Sequence, residues 1–318
     1  MVKICAYHYP CADGIFGALG AYLSGEFTFV PLSILSTEQS RIDTFAQTLQ
    51  SDDELYIVDF TGGPLFIAAC CAKAKSVIIL DHHKTGAEDL ASPTLTSLTN
   101  LTTHFDITRS GATISRDYFD IPSKLHSTRP SDADRILQLF TYIEDNDLWR
   151  HALPDSKLFS AGFQSLGFDF DARKDGGAIF EKILSLNVDN VISKGREVIV
   201  EQDRIITDEL TRAFTISIPY GEEKKFEMMA VLTKFPDYRS TMGNLLATKS
   251  LDQGFMSVGA VVYEEEALGD SSFKVSLRST GDLDTTLVSK FYNGGGHKNA
   301  SSFNILKTIF DTWKTMSE

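Results

Sequence analysis

The chain has 318 residues, with a hydrophobic fraction of 42%, a charged fraction of 23% and a formal net charge of −13. The composition is typical of a globular protein, and the length suffices for two domains of ordinary size. The acidity excludes a broad surface for long nucleic acid, which needs clustered lysine and arginine, but it allows a short pocket with local basic charge. No apolar run approaches the roughly 20 residues that cross a membrane, so we expect no membrane partner.

The amino terminus and the cysteines predict the compartment. Residues 1–4 lead directly into a strand and lack the charged segment, apolar core and cleavage site of a signal peptide. The cysteines include no Cys-x-x-Cys pair, and Cys70 and Cys71 lie in an apolar helical stretch where we expect buried thiols. We therefore expect a cytoplasmic protein.

Three short apolar runs in the first 83 residues each end in polar side chains of the kinds that bind metals. Their lack of alternation is typical of strands buried on both faces of a parallel sheet, and the helical patterns between them predict right-handed crossovers. Ligands of such sheets bind at the carboxyl ends of the strands. The runs and their terminal groups are 2–8 with His8, 54–60 with Asp59, and 77–83 with Asp81, His82 and His83.

The aspartate beside two histidines has two interpretations. Asp81, His82 and His83 offer carboxylate oxygen and imidazole nitrogen to a divalent cation, or they hold one another in fixed tautomers. Taken alone, the triplet is explained equally well as a strand end stabilised by an Asp–His pair. Three strands that all end in metal-ligand residue types form a constellation, and this favours a site.

Two helices carry further polar groups. Ser110 has the residue type of a helix N-cap, and the glycine-containing helix start after it offers free N–H groups to an anion, although an ordinary cap explains the same residues. A second helix, over 131–143, runs into an acidic segment at 144–147. Negative charge is unfavourable at a helix C-terminus, so a metal partner is favoured there.

The second half of the chain predicts a smaller α/β domain. Residues 178–212 look helical and charged and are interpreted as a connector, and four alternating runs follow as strands. The glycines of 294–296, which precede His297, let backbone amides approach a ligand, although a glycine triplet alone usually marks a loop. We therefore predict an α/β fold with a parallel-sheet domain over 1–180, a helical connector over 181–212 and a smaller α/β domain over 213–318.

Taken together, the motifs resemble the DHH phosphoesterase family, in the RecJ-like and nano-RNase branch that carries a DHH-associated substrate-binding domain. The resemblance covers roughly residues 2–303, and it is specific because the motifs occur in the family order. The motifs are His8 with Cys11-Ala12-Asp13-Gly14, Val58-Asp59-Phe60, Asp81-His82-His83, Arg109-Ser110-Gly111-Ala112, Asp145-Asn146-Asp147, Ser276-Leu277-Arg278-Ser279 and Gly294-Gly295-Gly296-His297.

The resemblance implies a role for each motif residue. Asp59 would bridge two divalent ions, Asp81 would orient His82 or lie close to the metals, and His83 would face the phosphate or the leaving oxygen. The implied metal ligands are His8, Cys11, Asp13, Asp59, His82 and Asp145. The implied catalytic groups are Asp81 and His83. The implied substrate-binding groups are Arg109, Ser110, Arg278, Gly294, Gly295, Gly296 and His297.

The first motif departs from the commoner family pattern, which has aspartate where this chain has Cys11. A cysteine variant also occurs in the family, so the departure does not imply an inactive protein. A thiolate is a softer ligand than a carboxylate and favours zinc or iron over manganese. The resemblance thus implies two divalent ions, with manganese expected and with zinc, iron or cobalt as alternatives because of Cys11.

The implied activity is that of a metal-dependent phosphodiesterase or exonuclease. It would hydrolyse short oligonucleotides, dinucleotides or phosphorylated nucleotides and release a nucleoside monophosphate. Hydrolysis of pyrophosphate or polyphosphate is the alternative enzyme activity, and a non-catalytic nucleotide sensor is the alternative outside enzymes. A short nucleic acid or nucleotide is the expected partner, no obligate protein partner is expected, and a homodimer is left open.

Overall fold

The computed structural model describes residues 2–33, 36–221, 224–265 and 271–314. The chain divides into two compact units, Met1–Ile199 and Val200–Glu318. The division falls inside a helix, so the segment 181–212, interpreted above as a connector, is shared between the two units. Among the helices of the described residues, none combines the length and the apolar character that crossing a membrane requires.

The N-terminal unit is built on a parallel sheet, as the apolar runs predict. Its strands are β1 (Lys3–Tyr9), β2 (Thr28–Ser33), β3 (Glu54–Val58), β4 (Ser76–Asp81) and β5 (Leu101–Phe105). The helices of this part of the chain, the last of which continues into the second unit, are α1 (Ala12–Ser24), α2 (Glu38–Thr44), α3 (Pro64–Lys73), α4 (Lys84–Leu90), α5 (Gly111–Tyr118), α6 (Ile121–Thr128), α7 (Ala133–Asp147), α8 (Ser156–Ser165), α9 (Ala178–Leu184) and α10 (Val188–Thr211). The predicted α/β class is confirmed.

The order of the strands is β2-β1-β3-β4-β5, so β2 lies on one side of β1 and the later strands lie on the other. In sheets of this kind a crevice opens outside the carboxyl ends of the two strands at which the order reverses, here β1 and β3. His8 lies near the end of β1, Asp59 follows β3 and Asp81 ends β4. The topology therefore collects these residues at one edge of the sheet.

The sheet is buried on both faces, which explains the unbroken apolar runs. Val58 and Leu80 pack on one face in a hydrophobic cluster that contains residues of α1, α5 and α7. Their neighbours Ile57 and Ile79 pack on the other face in a cluster that contains residues of α3. Because successive side chains of a strand point to opposite faces, a strand covered on both faces is apolar at every position.

Helix α1 lies very close to the sheet and to α5 because glycine lines its contact face. A Cβ atom at Gly17 would lie 2.2 Å from Cγ1 of Val58, and one at Gly20 would lie 2.7 Å from Oγ of Ser115. Both distances are too short for a side chain without displacement of its neighbours. The close approach brings the first turn of α1, with Asp13, against the start of α5.

The C-terminal unit is built on a second, mixed sheet. Its strands are β6 (Phe214–Tyr220), β7 (Lys224–Leu232), β8 (Val258–Tyr263), β9 (Ser272–Ser279), β10 (Gly295–His297) and β11 (Ala300–Leu306), and its helices are α11 (Arg239–Asp252), α12 (Thr286–Phe291) and α13 (Lys307–Asp311). The strand order is β10-β11-β9-β8-β7-β6. Strands β7 and β8 pair in parallel, and the other neighbouring pairs are antiparallel. The four runs predicted as strands correspond to β6 to β9.

Candidate metal centre

Loops and helix ends at the carboxyl edge of the N-terminal sheet carry a cluster of metal-ligand side chains. They come from the end of β1, the start of α1, the segment after β3, the end of β4 and the last residue of α7. The cluster, called the ligand cluster below, consists of His8, Cys11, Asp13, Asp59, Asp81, His82, His83 and Asp147. Because these segments are distant in sequence, the fold as a whole assembles the cluster.

One group of ligand atoms is centred on Asp59. The imidazole Nδ1 of His8 lies 3.0 Å from Oδ2 of this carboxylate. His8, Cys11 and Asp59 each offer one ligand atom within 4.8 Å of the others. This places a nitrogen, a sulfur and an oxygen around one point, as the resemblance implies for the first metal position.

A second group is centred on His82. Its Nε2 atom lies 3.4 Å from Oδ2 of Asp147 and 3.6 Å from Oδ2 of Asp13. The same nitrogen lies 3.2 Å from Oδ1 of Asp59. One carboxylate oxygen of Asp59 therefore faces His8 and the other faces His82, which is the arrangement of a bridging carboxylate.

Several buried atoms of the ligand cluster are unsatisfied. Oδ1 of Asp59, Oδ2 of Asp81 and Nε2 of His82 have no hydrogen-bond partner in the described part of the chain. Leaving such an atom unpaired costs about 1–3 kcal/mol, and a cation shared among them removes this cost. The donor set of carboxylate, imidazole and thiol is typical of divalent transition-metal sites. The residues therefore fit a divalent metal ion.

Burial and mutual repulsion govern the protonation of the acids in the ligand cluster. Burial, followed by the charge of Asp59, raises the pKa of Asp13 and of Asp147. Burial acts in the same direction on Asp59, but the hydrogen bond from His8 and the nearby imidazole of His82 hold the pKa of this carboxyl below its usual range. Carboxylates this close oppose one another, and a divalent cation between them relieves the repulsion.

The start of helix α5 fixes Asp13. The two carboxylate oxygens of Asp13 accept hydrogen bonds from the backbone N–H groups of Gly111, at 2.6 Å, and Ala112, at 3.1 Å. The helix dipole favours negative charge at this end. A Cβ atom at Gly111 would lie 2.6 Å from Cβ of Asp59, so glycine is needed for α5 to reach the cluster.

Asp59 has a left-handed backbone conformation, with a φ of +60°. Residues that carry a Cβ atom rarely adopt this region, although aspartate is among those that tolerate it best. The N–H group of Asp59 donates to the carbonyl oxygen of Leu80 at 2.8 Å, which extends the pairing of β3 and β4 by one residue. The strained residue is therefore the one that both ligand groups share, as is common at functional sites.

His83 is held by Asp81 at the mouth of the cluster. Its Nδ1 atom lies 2.8 Å from Oδ1 of Asp81, and this hydrogen bond is the main cause that raises the pKa of His83 to about 9. A Cβ atom at Gly86 would lie 2.2 Å from Oδ2 of Asp81, so this carboxylate is closely packed. The His83 side chain is 41% exposed and lines a cavity of about 390 Å³.

The same cavity contains Arg41, a cation that the sequence analysis missed. Its guanidinium lies 5.0 Å from the centroid of the Phe60 ring and donates to the carbonyl oxygen of Gly62 at 2.9 Å. Its Nε atom is buried and has no hydrogen-bond partner within the described residues. No motif marks this residue, because it lies in the middle of α2 and only the fold brings it to the cavity.

The acidic segment at the end of α7 separates into residues with different partners. Asp147, and not Asp145 as predicted, enters the ligand cluster. The Asp145 carboxylate accepts hydrogen bonds from the N–H groups of Ala152, at 3.0 Å, and Leu153, at 3.3 Å. Burial would raise the pKa of Asp145, but hydrogen bonds from Ser156 and from these N–H groups lower it. Asp145 thus shapes the loop after α7, and the ligand assignment moves to Asp147.

The sequence contained a signal for Asp147. It follows the buried residues Ile136, Phe140 and Ile143 at helical spacings of eleven, seven and four, which place all of them on one face of α7. Asp145 lies about 160° away around the same helix. Asp147 therefore shares the stripe of Ile136, Phe140 and Ile143, whereas Asp145, which is also buried, is directed to the loop after α7.

Arg109 and Ser110, predicted as substrate-binding residues, make contacts within α5. Nη2 of Arg109 donates to Oδ2 of Asp117 and to the carbonyl oxygen of Thr113, both at 2.6 Å. Ser110 is the predicted N-cap, and its Oγ accepts the N–H of Thr113 at 3.4 Å. Both residues are accounted for by the helix, and their role toward a substrate stays a prediction.

Arg278 lines a pocket of about 470 Å³ within the C-terminal unit. This pocket, called the basic pocket below for its two arginines, is lined by Arg239, Lys274, Ser276, Arg278, Gly295 and Gly296, and its lining also includes the acids Asp237, Glu264 and Glu265. Arg278 donates to Oγ of Ser276 at 2.9 Å, and burial, followed by the charge of Arg239, lowers its pKa. Neither Arg239 nor Arg278 forms an ion pair in the part of the chain that the structure describes. Their charges are available to an anion.

The glycine segment meets this pocket only in part. Gly295 and Gly296 line it. Gly294 instead packs beneath, where a Cβ atom would lie 2.2 Å from the carbonyl oxygen of Ser302. His297 is exposed on β10 and is not among the described residues that line the pocket. The structure thus brings Arg278 together with two of the glycines and leaves His297 apart.

Comparison with known proteins yields distant similarities. No family model matches the chain. A curated relative, an uncharacterized protein of Acanthamoeba polyphaga mimivirus, is 24% identical over 312 residues, which cover 94% of this chain. The chain spans 66% of the length of that relative.

Three solved structures align with nearly the whole chain at low identity. An uncharacterized protein from Helicobacter pylori is 16% identical, with 96% of this chain and 93% of that chain covered and a TM-score of 0.37. A pGpG-specific phosphodiesterase from Vibrio cholerae is 12% identical, with 98% and 96% covered and a TM-score of 0.46. A candidate family II inorganic pyrophosphatase from Methanococcus jannaschii is 14% identical, with 100% and 95% covered and a TM-score of 0.30. The chemistry of this chain is therefore inferred from its own residues.

Proposed function

We propose that this chain is a metal-dependent phosphodiesterase of the DHH type, in the RecJ-like and nano-RNase branch. It hydrolyses short oligonucleotides, dinucleotides or phosphorylated nucleotides and releases a nucleoside monophosphate. The observation that carries the proposal is the pair of ligand groups joined at Asp59, where Oδ1 of Asp59 and Nε2 of His82 are buried without hydrogen-bond partners in the described residues. The order of the sequence motifs supports the same assignment.

The ligand cluster offers two positions for a divalent cation, joined by the Asp59 carboxylate. His8, Cys11 and Asp59 would hold one, and Asp13, His82 and Asp147 would hold the other with Asp59 between them. Divalent cations in these positions supply Lewis acidity toward a phosphoryl oxygen and ease the deprotonation of an attacking water. Carboxylates and imidazoles suit manganese, whereas the Cys11 thiol adds zinc, iron or cobalt as candidates.

The protein itself orients the reacting groups. Asp81 holds Nδ1 of His83 and leaves the second ring nitrogen to donate a hydrogen bond to a phosphate or to the leaving oxygen. The N–H groups of α5 keep the Asp13 carboxylate in a fixed position. Because Asp59 and Asp13 are almost completely buried, bulk water is kept away from the shared carboxylates.

The basic pocket supplies a second place for negative charge. Arg239 and Arg278 face a volume of about 470 Å³, which suits a nucleotide and not a long strand. The net charge of −13 also disfavours long nucleic acid. Short nucleotides are therefore the proposed substrates.

The test is a hydrolysis panel with manganese that contains a diadenylate, a five-nucleotide RNA, a 3′-phosphorylated AMP and pyrophosphate. We expect the wild type to release a mononucleotide. Asp59→Asn should lower the rate by more than about 100-fold, since even outer partners of metal ligands are worth about 10- to 100-fold. Asp134→Asn, at a side chain 98% exposed in the same unit, is the matched control and should be unaffected.

The outcomes of the panel separate the alternatives. If pyrophosphate is the only compound of the panel that is hydrolysed, the chain is a pyrophosphatase and not a phosphodiesterase. If manganese, zinc, iron and cobalt all fail to support hydrolysis while nucleotides still bind, the chain is a sensor. If Asp59→Asn and Asp134→Asn behave alike, the ligand cluster is not the active site.

A further inference from the structure

A second cavity adjoins the ligand cluster at Asp147. Its volume is about 380 Å³, and all its lining residues belong to the N-terminal unit. Asp147 lines this cavity, while its Oδ2 atom lies 3.4 Å from Nε2 of His82. The cavity, called the tryptophan cavity below, is further lined by Trp149, His151, Lys157 and Gln164 among others. Asp147 is therefore common to the ligand cluster and to the tryptophan cavity.

The indole of Trp149 is exposed to solvent on a strained backbone, and the stability of the fold does not account for this arrangement. Its side chain is 81% exposed, whereas that of Trp313 is 3% exposed. The backbone φ is +52° at Trp149 and +47° at His151, in the left-handed region that disfavours residues with a Cβ atom. Because the indole is exposed, it buries little apolar surface that could offset this backbone strain. Strained residues of this kind are common where a protein holds a ligand.

Neighbouring contacts fix the indole in its exposed position. The N–H group of Trp149 donates to the carbonyl oxygen of Asn146 at 3.0 Å, and the Asp145 carboxylate anchors the following loop. The His151 ring stands edge-on to the indole, with centroids 5.5 Å apart and planes at 80°. The backbone that carries the indole is therefore held in place and one edge of the ring meets His151, which lowers the entropy cost of stacking on it.

Two polar groups beside the indole lack partners among the described residues. Nδ1 of His151 is buried without a hydrogen-bond partner among the described residues. The exposed Lys157 likewise forms no ion pair or hydrogen bond within the described ranges. Gln164 adds an amide that can donate and accept. An aromatic platform beside a free cation and an amide matches the base and the phosphate of a nucleotide.

We propose that the tryptophan cavity is a nucleobase subsite, in which Trp149 stacks on a base of the substrate while the adjoining phosphate lies at the ligand cluster past Asp147. Lys157 pairs with a further phosphate of the same molecule. This inference rests on the proposed function and deepens it, because it assigns the substrate class to compounds with an aromatic base. Pyrophosphate and polyphosphate have no group that can stack on the indole.

The first test is a fluorescence titration of the full chain with AMP at a fixed manganese concentration. AMP carries the base but contains no phosphodiester to hydrolyse, and ribose 5-phosphate is the control without a base. Trp149 and Trp313 are the two tryptophans of the chain, and Trp313 is buried. We expect AMP to quench the emission and ribose 5-phosphate to leave it unchanged, and we expect the quenching to disappear in Trp149→Phe.

The second test compares KM for a diadenylate with KM for an analogue in which both bases are replaced by hydrogen. Trp149→Ala should raise KM for the diadenylate by about 5- to 100-fold, with a smaller change in kcat. It should leave KM for the analogue unchanged. Trp149→Phe keeps a stacking ring and should remain close to the wild type. Val200→Ala, which shortens an apolar side chain 64% exposed on α10, is the control for surface changes.

Two results overturn the subsite: an AMP titration without quenching, and a Trp149→Ala variant that changes KM for both substrates equally or for neither. Failure of the proposed function looks different. In that case the wild type hydrolyses no phosphodiester with any metal, and the AMP titration alone decides whether a base stacks on Trp149.

Discussion

The ligand cluster of the N-terminal unit and the basic pocket of the C-terminal unit both gather ionisable side chains, but their polar atoms are satisfied to different degrees. In the cluster, Oδ1 of Asp59 and Nε2 of His82 are buried without hydrogen-bond partners among the described residues. In the pocket, the guanidinium of Arg278 donates to Ser276 and Ser240. An added cation would therefore stabilise the cluster, whereas the Arg278 guanidinium of the pocket already has hydrogen-bond partners within the fold.

The glycines of the two regions also differ, in how closely neighbouring atoms pack against them. A Cβ atom at Gly111 would lie 2.6 Å from Cβ of Asp59, while one at Gly295 would meet no atom within 4 Å. The ligand cluster is assembled by close packing, and the basic pocket lies at an open surface. Substitutions in the first region should thus change metal binding and stability together, and substitutions in the second should change substrate affinity alone.

The largest effect is expected from Asp147→Asn. Loss of this carboxylate removes a ligand of the second metal position, so hydrolysis should fall by more than about 100-fold and the metal content should drop. Asp145→Asn should keep the metal content and lose only about 1–2 kcal/mol of folding free energy, because its carboxylate accepts hydrogen bonds from Ala152 and Leu153. Metal analysis and kcat for both variants check this. Equal metal loss in the two would contradict the assignment.

Removal of the metal should have the next largest effect, and it should act through the ligand cluster. A ligand that binds only the folded protein at about 100 times its Kd adds about 2.7 kcal/mol to the free energy of unfolding. Thermal unfolding with excess manganese and with EDTA should therefore differ by several degrees in Tm. Asp59→Asn should abolish the difference, while Arg278→Gln should keep it. A manganese effect that survives in Asp59→Asn would show binding elsewhere.

Gly111→Ala should destabilise the protein by about 1–3 kcal/mol, because the added methyl group forces α5 away from Asp59. Gly295→Ala should change the free energy of unfolding by less than about 0.5 kcal/mol, since its Cβ atom meets open space. Urea unfolding followed by circular dichroism measures both. If the free energy of unfolding falls by a similar amount in the two variants, the ligand cluster is not more closely packed than the basic pocket.

The smallest effect is expected in the basic pocket. Arg278→Gln should raise KM for a diadenylate by about 10-fold, equivalent to about 1.4 kcal/mol, and leave the metal content unchanged. Lys274→Gln is the matched control, because its ammonium already pairs with Glu265 at 3.0 Å and contributes less charge to an anion. Steady-state kinetics of the two variants provide the comparison. If KM rises more in Lys274→Gln than in Arg278→Gln, the anion binds at Lys274 and not at Arg278.

Sequence reasoning reached the residues of the ligand cluster that follow directly from strands. His8, Asp59 and Asp81 end apolar runs, and the carboxyl ends of parallel strands share one edge, so their convergence follows from local pattern and topology alone. Arg41 lies within α2, and nothing in its neighbourhood indicates the cavity that it lines. Its position depends on how α2 packs, which is a property of the tertiary structure and not of the local sequence.

The choice between Asp145 and Asp147 as the metal ligand could be made only in part from the sequence. Both acids belong to one motif, and a motif gives spacing along the chain without giving rotation around a helix. Asp147 lies on the stripe of Ile136, Phe140 and Ile143, whereas the Asp145 carboxylate is held by the N–H groups of the loop after α7. No sequence pattern predicted that Trp149 is exposed, because a tryptophan that follows a helix can be either buried or exposed to solvent.

The left-handed backbone of Asp59 has a consequence for how this protein can change during evolution. At a φ of +60°, glycine, asparagine and aspartate are the residues that the position accommodates most easily. Of these, only aspartate brings a charged carboxylate to the two ligand groups. A single nucleotide change turns an aspartate codon into an asparagine codon, and asparagine suits the same backbone. One mutational step can therefore remove the shared carboxylate while the backbone of the ligand cluster keeps its conformation.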